Sequence, residues 1–210
     1  MYLREMSQGG YSPGNIGSFH KNMIPWLLSN HQVAKDEGIV DIGAGQGHCL
    51  LPLYENGWLK LTAVDVDDYN FSIFKNKYGF NVHKCNISSE KLGLTDNSQG
   101  AVICFHLIEH LLSPDNLIKE AHRVLRPGGK MFIVTPDWRK QFKTFWRDPT
   151  HLHPYDKESI ARLLRMYNYD PIVYSWGSAY GLGRLKAYKY LPKLGLVRSD
   201  ILAVGIKVGN

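Results

Sequence analysis

The chain has only three cysteines among its 210 residues, and it contains no long run of apolar side chains. Cys49, Cys85 and Cys104 stand singly without a CxxC pair, and their odd number argues against a disulfide framework. They are expected to be small buried apolar side chains in a reducing compartment. No stretch approaches the roughly 18 apolar residues of a membrane-spanning helix, and the N-terminus lacks the apolar core of a signal peptide. We therefore expect a soluble, cytoplasmic protein without a transmembrane segment.

Acidic residues are missing from the stretch between Asp170 and Asp200, where five basic residues stand. The whole chain carries a formal net charge of +6 at pH 7, which permits an anionic partner without requiring nucleic acid. A solvated basic face is favoured over a surface for phosphate or membrane. The basic residues of this stretch are Arg184, Lys186, Lys189, Lys193 and Arg198.

Short apolar strands alternate with helical segments along most of the chain. Several strands are apolar on both faces, which is typical of a parallel sheet covered by helices on both sides. A further helix is predicted over residues 19–29 despite Pro25. The predicted strands cover residues 39–42, 61–66, 80–85, 101–105, 130–134, 171–176 and 201–208. The predicted core helices cover residues 49–55, 69–78, 113–125 and 156–167, the last two with Ser113 and Asp156 as N-caps.

Three segments carry no periodic pattern. Residues 1–18, rich in glycine and serine, are predicted to be a mobile lead-in. Residues 136–155 are rich in aromatic side chains and proline and are predicted to form a long loop, which in compact domains is usually functional. Residues 177–198 are predicted to be an irregular basic insertion.

A glycine-rich segment, Asp41-Ile42-Gly43-Ala44-Gly45-Gln46-Gly47, connects the first predicted strand to the first core helix. Glycines there let the backbone turn tightly and approach a ligand, at the partly positive start of a helix. The dinucleotide fingerprint requires a small residue where His48 stands, so the spacing here is GxGxG instead of GxGxxG. The carboxylate of Asp41 suits an ammonium group better than a pyrophosphate. S-adenosylmethionine carries an ammonium group and no phosphate.

An acidic residue, Asp65, ends the second predicted strand. In doubly wound folds a carboxylate at this place accepts hydrogen bonds from ribose hydroxyls. Asp67 and Asp68 follow, and they are predicted to cap the next helix. The glycine-rich segment and Asp65 together predict a nucleoside site.

Residues 37–137 resemble the small-molecule group, of methyltransferase type 11/23, among class I S-adenosylmethionine-dependent methyltransferases. The resemblance covers about half of the chain. Besides the glycine-rich segment, it rests on Ala63-Val64-Asp65, on the segment Ile103-Cys104-Phe105-His106-Leu107-Ile108-Glu109-His110-Leu111, and on Arg123-Val124-Leu125-Arg126-Pro127-Gly128-Gly129.

The resemblance implies an α/β fold: a Rossmann-like, seven-stranded, mostly parallel sheet with helices on both faces, in three αβα layers, and an antiparallel last strand. The whole chain, residues 1–210, is then expected to be one methyltransferase domain. Residues 1–36 would be an N-terminal helical cap, residues 37–137 the cofactor-binding core, and residues 138–210 the substrate-side loops and last two strands.

The resemblance also implies where S-adenosyl-L-methionine would bind. The glycine-rich turn would hold the methionine part, the end of the second strand the ribose, and the turn after the third strand the adenine. Asn86 stands where the family often has aspartate, although an amide oxygen can still accept from the adenine amino group. The end of the fourth strand would flank the reactive methyl group. The implied cofactor residues are Asp41, Gly43, Ala44, Gly45, Gln46, Gly47, Asp65, Val66, Asn86, Ile87, Phe105 and His106.

The segment from His106 to His110 also matches the HxxEH zinc pattern of inverzincin peptidases. A peptidase needs this pattern on a helix together with a further ligand, which His151 or His153 could supply. Because His106 directly follows an apolar strand, and because the methyltransferase resemblance already explains the segment, no metal is expected.

The loop segment 146–155 follows the fifth strand and is expected to roof the acceptor pocket, since ligands of open α/β sheets bind beyond the carboxyl ends of the strands. A similar Asp-Pro-x-His-x-x-Pro-Tyr/Phe segment occurs in bacterial methyltransferases of polysaccharide and secondary-metabolite pathways. His151 is a candidate general base or a residue that orders the loop, and for His153 the ordering role is favoured. His106 is the second candidate catalytic residue.

The predicted function is methyl transfer to oxygen or nitrogen of a small molecule, with a sugar, a glycolipid precursor or an anionic molecule as the acceptor. Nucleic-acid methylation, including RNA methylation, is disfavoured because Phe105-His106-Leu107-Ile108 stands where amino-methylating enzymes have [D/N]PP[Y/F]. A non-catalytic S-adenosylmethionine-binding regulatory protein stays as an alternative, since fold does not determine function. A zinc hydrolase and an NAD dehydrogenase are more distant alternatives.

Overall fold

A computed structural model of the chain describes residues 18–177 and 199–209. The predicted lead-in before residue 18 and the basic insertion over 178–198 lie outside the described residues. The strands are β1 (Gly38–Ile42), β2 (Leu61–Asp65), β3 (Asn81–Lys84), β4 (Gln99–Phe105), β5 (Leu125–Pro136), β6 (Tyr169–Gly177) and β7 (Ser199–Lys207). The helices are α1 (Ser18–Asn30), α2 (Leu50–Glu55), α3 (Phe71–Tyr78), α4 (Asp115–Val124), α5 (Trp138–Gln141) and α6 (Lys157–Met166), with 3₁₀ turns at Ile108–His110 and Phe145–Arg147.

The strands form one seven-stranded sheet in the order β3-β2-β1-β4-β5-β7-β6. The first five strands are mutually parallel, and β7 runs antiparallel to both β5 and β6. The carboxyl ends of β1, β2, β4 and β5 therefore meet at one edge, where ligands of such sheets bind. The predicted seven-stranded sheet with an antiparallel last strand is confirmed.

Two apolar cores cover the two faces of the sheet and give the predicted three-layer arrangement. On one face, helices α4 and α6 pack on strand residues such as Val40 and Val102. On the other, helices α1, α2 and α3 pack on residues such as Ile39 and Ile103. Neighbouring residues of one strand thus enter opposite cores, as the period of two in a strand requires. Burial on both faces explains why these strands are apolar throughout.

The junction between α4 and β5 differs from the prediction. The helix ends at Val124, and β5 begins at Leu125 and includes Pro127-Gly128-Gly129, which the sequence placed between the two elements. Proline disfavours a helical conformation in the residue before it, so the helix ends ahead of Arg126. Backbone N–H groups of Asn97 and Ser98 donate to the last carbonyls of the helix.

Two further local predictions are wrong, and one is confirmed. The predicted loop over residues 136–155 contains helix α5 and the second 3₁₀ turn. Asp67 and Asp68 do not cap α3: Asn70 holds the N-cap position, and the Asp67 carboxylate accepts the N–H of Tyr69 instead. Asp156 does cap α6, in a reciprocal capping box with Ser159.

The described part of the chain contains no helix that is both long and apolar enough to cross a membrane.

Candidate functional site

The glycine-rich turn between β1 and α2 is joined to β2 by its backbone. The N–H groups of Gly43 and Ala44 both donate to the carbonyl of Val64, at 2.8 and 3.1 Å. Gly47 has a φ of 78°, and a Cβ there would lie 2.9 Å from the ring of Phe74. Both the left-handed backbone and this close approach require glycine. The turn is therefore shaped by its own backbone before any ligand is considered.

Two side chains hold the exposed middle of this turn at Gly45. The carboxylate of Asp65 accepts the N–H of Gly45 at 2.8 Å, and its other oxygen accepts the N–H of Asp67 at 3.0 Å. The side-chain amide of Asn70 donates to the carbonyl of Gly45 at 2.8 Å. Asp65, the predicted ribose ligand, thus also supports the turn, and each of its oxygens keeps a further lone pair. Asn70 was not predicted, because nothing in the sequence shows that it reaches across 25 residues to Gly45.

The last polar side chain of β1, Asp41, is almost completely buried. Burial first, and repulsion from Asp65 second, raise the pKa of its carboxyl to about 8. The side-chain oxygen of Gln46 is also buried and has no hydrogen-bond partner among the described residues. A cation beside the turn would stabilise the ionised form of Asp41 and would give the side-chain oxygen of Gln46 a hydrogen-bond donor. These residues therefore fit the ammonium group of S-adenosylmethionine.

The predicted adenine and ribose contacts lie around the ends of β2 and β3. Val66 is about half exposed, and Ile87 is buried. The side-chain oxygen of Asn86 accepts the N–H of Ser88, so the turn is held by its own asparagine. The carbonyl of Ile87 accepts the side-chain amide of Asn116 from α4 at 2.8 Å. The structure brings these positions to the same sheet edge as the glycine-rich turn, and their ligand contacts stay predictions.

His106 follows Phe105 at the end of β4 with a φ of 51°, a conformation that non-glycine residues rarely adopt. Its backbone N–H donates to Val134 of β5 at 2.7 Å, which holds the strained residue in place. The ring lies between two buried carboxylates: Nδ1 is 3.4 Å from Glu109, and Nε2 is 3.9 Å from Asp200. Strained residues persist where the surroundings over-determine them, often at functional sites.

Glu109 joins the turn after β4 to the loop after β5. Its side chain is 1% exposed, and one carboxylate oxygen accepts the hydroxyl of Thr135 at 3.0 Å. Its backbone carbonyl accepts the N–H groups of Leu152 and His153, at 2.7 and 3.2 Å. The loop segment 146–155, which is expected to cover the acceptor pocket, is therefore hydrogen-bonded to the turn that follows β4.

The two loop histidines point to different surroundings. The Nδ1 of His151 lies 2.7 Å from the carbonyl of Phe145, and its ring packs on that phenylalanine with centroids 4.4 Å apart. His153 instead contacts the carbonyl of Leu112 at 3.1 Å and lines an open cleft of about 480 Å³ beside α6. The ring of His151 thus packs within the loop, and the ring of His153 lies at the cleft beside α6.

Besides Glu109, the sheet edge carries Asp200, an acidic residue that the sequence did not indicate. Asp200 of β7 is buried, and one of its oxygens accepts the side-chain amide of Gln141 from α5 at 3.1 Å. Asp137, the residue before α5, is also buried, and its backbone N–H donates to the carbonyl of Ser199. The antiparallel pairing of β5 with β7 brings these positions together, and no local motif could have shown it.

A model of the methyltransferase domain family matches residues 24–173. An uncharacterized methyltransferase of Mycobacterium tuberculosis is 32% identical over 126 residues, which cover 60% of this chain and 49% of that protein. The ubiquinone biosynthesis O-methyltransferase of Coxiella burnetii is 27% identical over 147 residues, which cover 67% of this chain and 62% of that protein. The matched region therefore spans about half to three fifths of these relatives.

A solved structure shares the fold over most of the chain. The 1,6-didemethyltoxoflavin-N1-methyltransferase of Burkholderia thailandensis, solved with 1,6-didemethyltoxoflavin and S-adenosylhomocysteine bound, superposes with a TM-score of 0.64 at 16% identity. The superposition covers 90% of this chain and 79% of that one.

Proposed function

Since this chain belongs to the methyltransferase domain family, we propose that it is a class I S-adenosylmethionine-dependent methyltransferase acting on oxygen or nitrogen of a small molecule. The observation that carries the proposal is the turn at Gly45, held open by Asp65 and Asn70 beside the buried Asp41. The bound cofactor would supply a methyl group on a sulfonium, which is already a good leaving group. The chain then has to bind, align and exclude water.

Each group of cofactor residues would contact the part of the ligand that the resemblance implies. Gly43, Ala44, Gly45, Gln46 and Gly47 would face the methionine part, whose ammonium group would neutralise Asp41. The free lone pairs of Asp65 would accept the ribose hydroxyls, beside Val66. Asn86 and Ile87 would hold the adenine, and Phe105 and His106 would flank the methyl group.

The acceptor would approach from the end of β4, where the half-exposed ring of His106 lies between Glu109 and Asp200. Buried carboxylates near an imidazole favour an acceptor that brings hydrogen-bond donors, such as a hydroxyl or an amine, to this place. His106 could take the acceptor proton as general base, because it is the more exposed of the two candidates. His151, with Nδ1 directed at a carbonyl, would mainly order the loop.

The acceptor class and the wider context are parts of the same proposal. Relatives named for O-methylation of malonyl-[acyl-carrier protein] and in ubiquinone biosynthesis support an oxygen acceptor on a small or carrier-linked molecule. A sugar or glycolipid precursor fits the donor-rich acceptor that the carboxylates favour.

The three free thiols support a cytoplasmic location. We also propose that the chain is one domain with residues 37–137 as its cofactor-binding core.

A thermal-shift titration with S-adenosylhomocysteine and, in parallel, NADH tests the cofactor. At a hundred times its dissociation constant, a ligand stabilises the fold by about 2.7 kcal/mol. We expect a shift with S-adenosylhomocysteine alone. Asp65→Ala should weaken binding about tenfold or more, because hydrogen bonds to a charged group contribute ~1.5–3 kcal/mol.

Two control variants separate ligand contact from support of the turn. Asn70→Ala removes the other side-chain bond to Gly45, so the additional loss in Asp65→Ala measures the ribose contact. Asp68→Ala removes an exposed carboxylate that pairs with Lys84 and should leave binding unchanged. A shift with NADH alone, or with neither ligand, would refute the cofactor proposal. Binding of S-adenosylhomocysteine without methyl transfer to any acceptor class would favour the regulatory alternative.

A further inference from the structure

The side chains of Glu109, His110 and His151 lie close together near the carboxyl end of β4. One ligand-type atom from each residue lies within 4.8 Å of the other two, and Oε1 of Glu109 is 4.0 Å from Nε2 of His110. The two histidine rings are tilted against each other with centroids 4.8 Å apart. Two imidazoles and one carboxylate are a donor set that binds divalent transition metals in proteins.

The hydrogen bonds determine which nitrogen of each ring carries the proton. Nδ1 of His151 lies 2.7 Å from the carbonyl of Phe145, and a carbonyl can only accept. Nδ1 of His110 lies 3.2 Å from the carbonyl of Thr150 and 2.8 Å from its hydroxyl. That hydroxyl already donates to Asp148 at 2.6 Å, so Nδ1 must donate here as well. In the neutral form of each ring, Nε2 is therefore left with a lone pair.

The carboxylate of Glu109 brings a third acceptor atom to the cluster. Oε1 of Glu109 is buried and has no hydrogen-bond partner among the described residues, whereas Oε2 accepts from Thr135. A buried carboxylate oxygen without a partner is costly. Histidine ligands of metals commonly donate their second ring nitrogen to a carbonyl, as both histidines do here.

We propose that Glu109, His110 and His151 bind one divalent transition-metal ion, with zinc as the first candidate. Metal–ligand bonds of about 2.0–2.2 Å require the three atoms to close by roughly 1 Å, which side-chain rotation can provide. The ion would join the 3₁₀ turn after β4 to the loop after β5. This ligand set differs from the HxxEH pattern, which would use His106, and the proposal does not depend on methyl transfer.

An ion pair is a competing explanation for the buried oxygen of Glu109, because Nδ1 of His106 also lies 3.4 Å from Oε1 of Glu109. A protonated His106 would neutralise the carboxylate without a metal. The two explanations differ in one measurable respect: only the first predicts stoichiometric binding of metal that depends on His110 and His151.

The experiment is a titration of chelator-treated protein with Zn²⁺, followed by calorimetry, and with Co²⁺, followed by its visible absorption. We expect one equivalent to bind, with cobalt bands typical of nitrogen and oxygen ligands. His110→Ala and His151→Ala should each weaken the affinity at least about tenfold, and Glu109→Gln tests the carboxylate with its shape preserved. His153→Ala is the matched control and should bind as the wild type does.

Absence of stoichiometric binding, or equal affinity in the wild type and all three ligand variants, would overturn the proposal. Circular dichroism of each variant identifies a loss of affinity that comes from unfolding, and Glu109→Gln then decides the matter because it changes the fewest contacts. Titration of the metal-free protein with S-adenosylhomocysteine separates the two proposals: a retained thermal shift without metal binding refutes the metal site alone.

Discussion

A buried carboxyl at Asp41 makes the stability of the protein depend on pH. In the folded chain the pKa is raised to about 8, whereas in the unfolded chain this carboxyl titrates near 4. Between these values the unfolded chain binds fewer protons, so the contribution of Asp41 is fully present below about pH 4 and is lost as pH rises through 8. Asp41→Asn does not titrate and should escape this loss.

The measurement is urea unfolding of wild type and Asp41→Asn at pH 5 and pH 8. The difference in unfolding free energy should move in favour of the variant on going to pH 8, by as much as ~4 kcal/mol over three pH units. Asp36→Asn, at an exposed position, is the matched control for the change of aspartate to asparagine. Parallel pH curves for wild type and Asp41→Asn would show that Asp41 is already ionised in the folded chain.

Single residues of the site differ in how far the sequence could predict them. Asp65 ends β2 as the sequence predicts, because its position after an apolar strand is visible in the local pattern. Asn70, Glu109 and Asp200 take part through contacts that span 25 or more residues, or through strand pairing late in the chain. Such contacts leave no periodic signal. The turn and the position of Asp65 could therefore be predicted from the sequence, whereas the bond from Asn70 to Gly45 and the carboxylates near His106 could not.

At the scale of elements, α4 holds the segment before β4 through one arginine. The guanidinium of Arg123 makes two bonds to Glu120, at 2.9 and 2.7 Å, and donates to the carbonyls of Leu94 and Leu92. Glu120 is buried and also accepts the N–H of Leu92. The pairing with Arg123 lowers the pKa of Glu120. This network explains the arginine in the segment that led to the family resemblance.

Replacing this arginine should cost more than replacing a similar one on the surface. Arg123→Lys cannot reproduce the planar fork, so it leaves Glu120 and two carbonyls poorly paired, and we expect a loss of ~1–3 kcal/mol. Arg162→Lys on α6 is the control, because its pair with Glu158 is exposed and 3.7 Å long. That change should cost less than about 0.5 kcal/mol. Equal shifts of the urea midpoint in the two variants would contradict the prediction.

Elements were predicted best where one physical signal decides them. Strands such as β4 are apolar on both faces, and α6 begins with an aspartate that caps it. The start of β5 was missed because Pro127 and two glycines usually separate elements, whereas here they lie inside the strand. Helix α5 was missed because its four residues are too short for a helical period to show.

At the scale of the whole molecule, the order of strands should determine which parts open first. β3 is a four-residue edge strand with partly exposed residues, whereas β4 lies between β1 and β5. The three cysteines report on this gradient, since all are buried and free. Burial raises the pKa of every one of these thiols, most strongly at Cys49 and Cys104, so labelling requires opening.

Cys85, directly after β3, should therefore react with iodoacetamide first, and Cys104, inside β4, last. Opening free energies in one protein range from near zero at frayed edges to the global value in the centre. Time-resolved labelling in low denaturant, with each cysteine followed by mass spectrometry, gives the order directly. Equal rates at all three would mean that the sheet opens only as a whole, because local fraying of β3 would expose Cys85 without the others. Labelling of Cys104 before Cys85 would contradict the predicted order of opening.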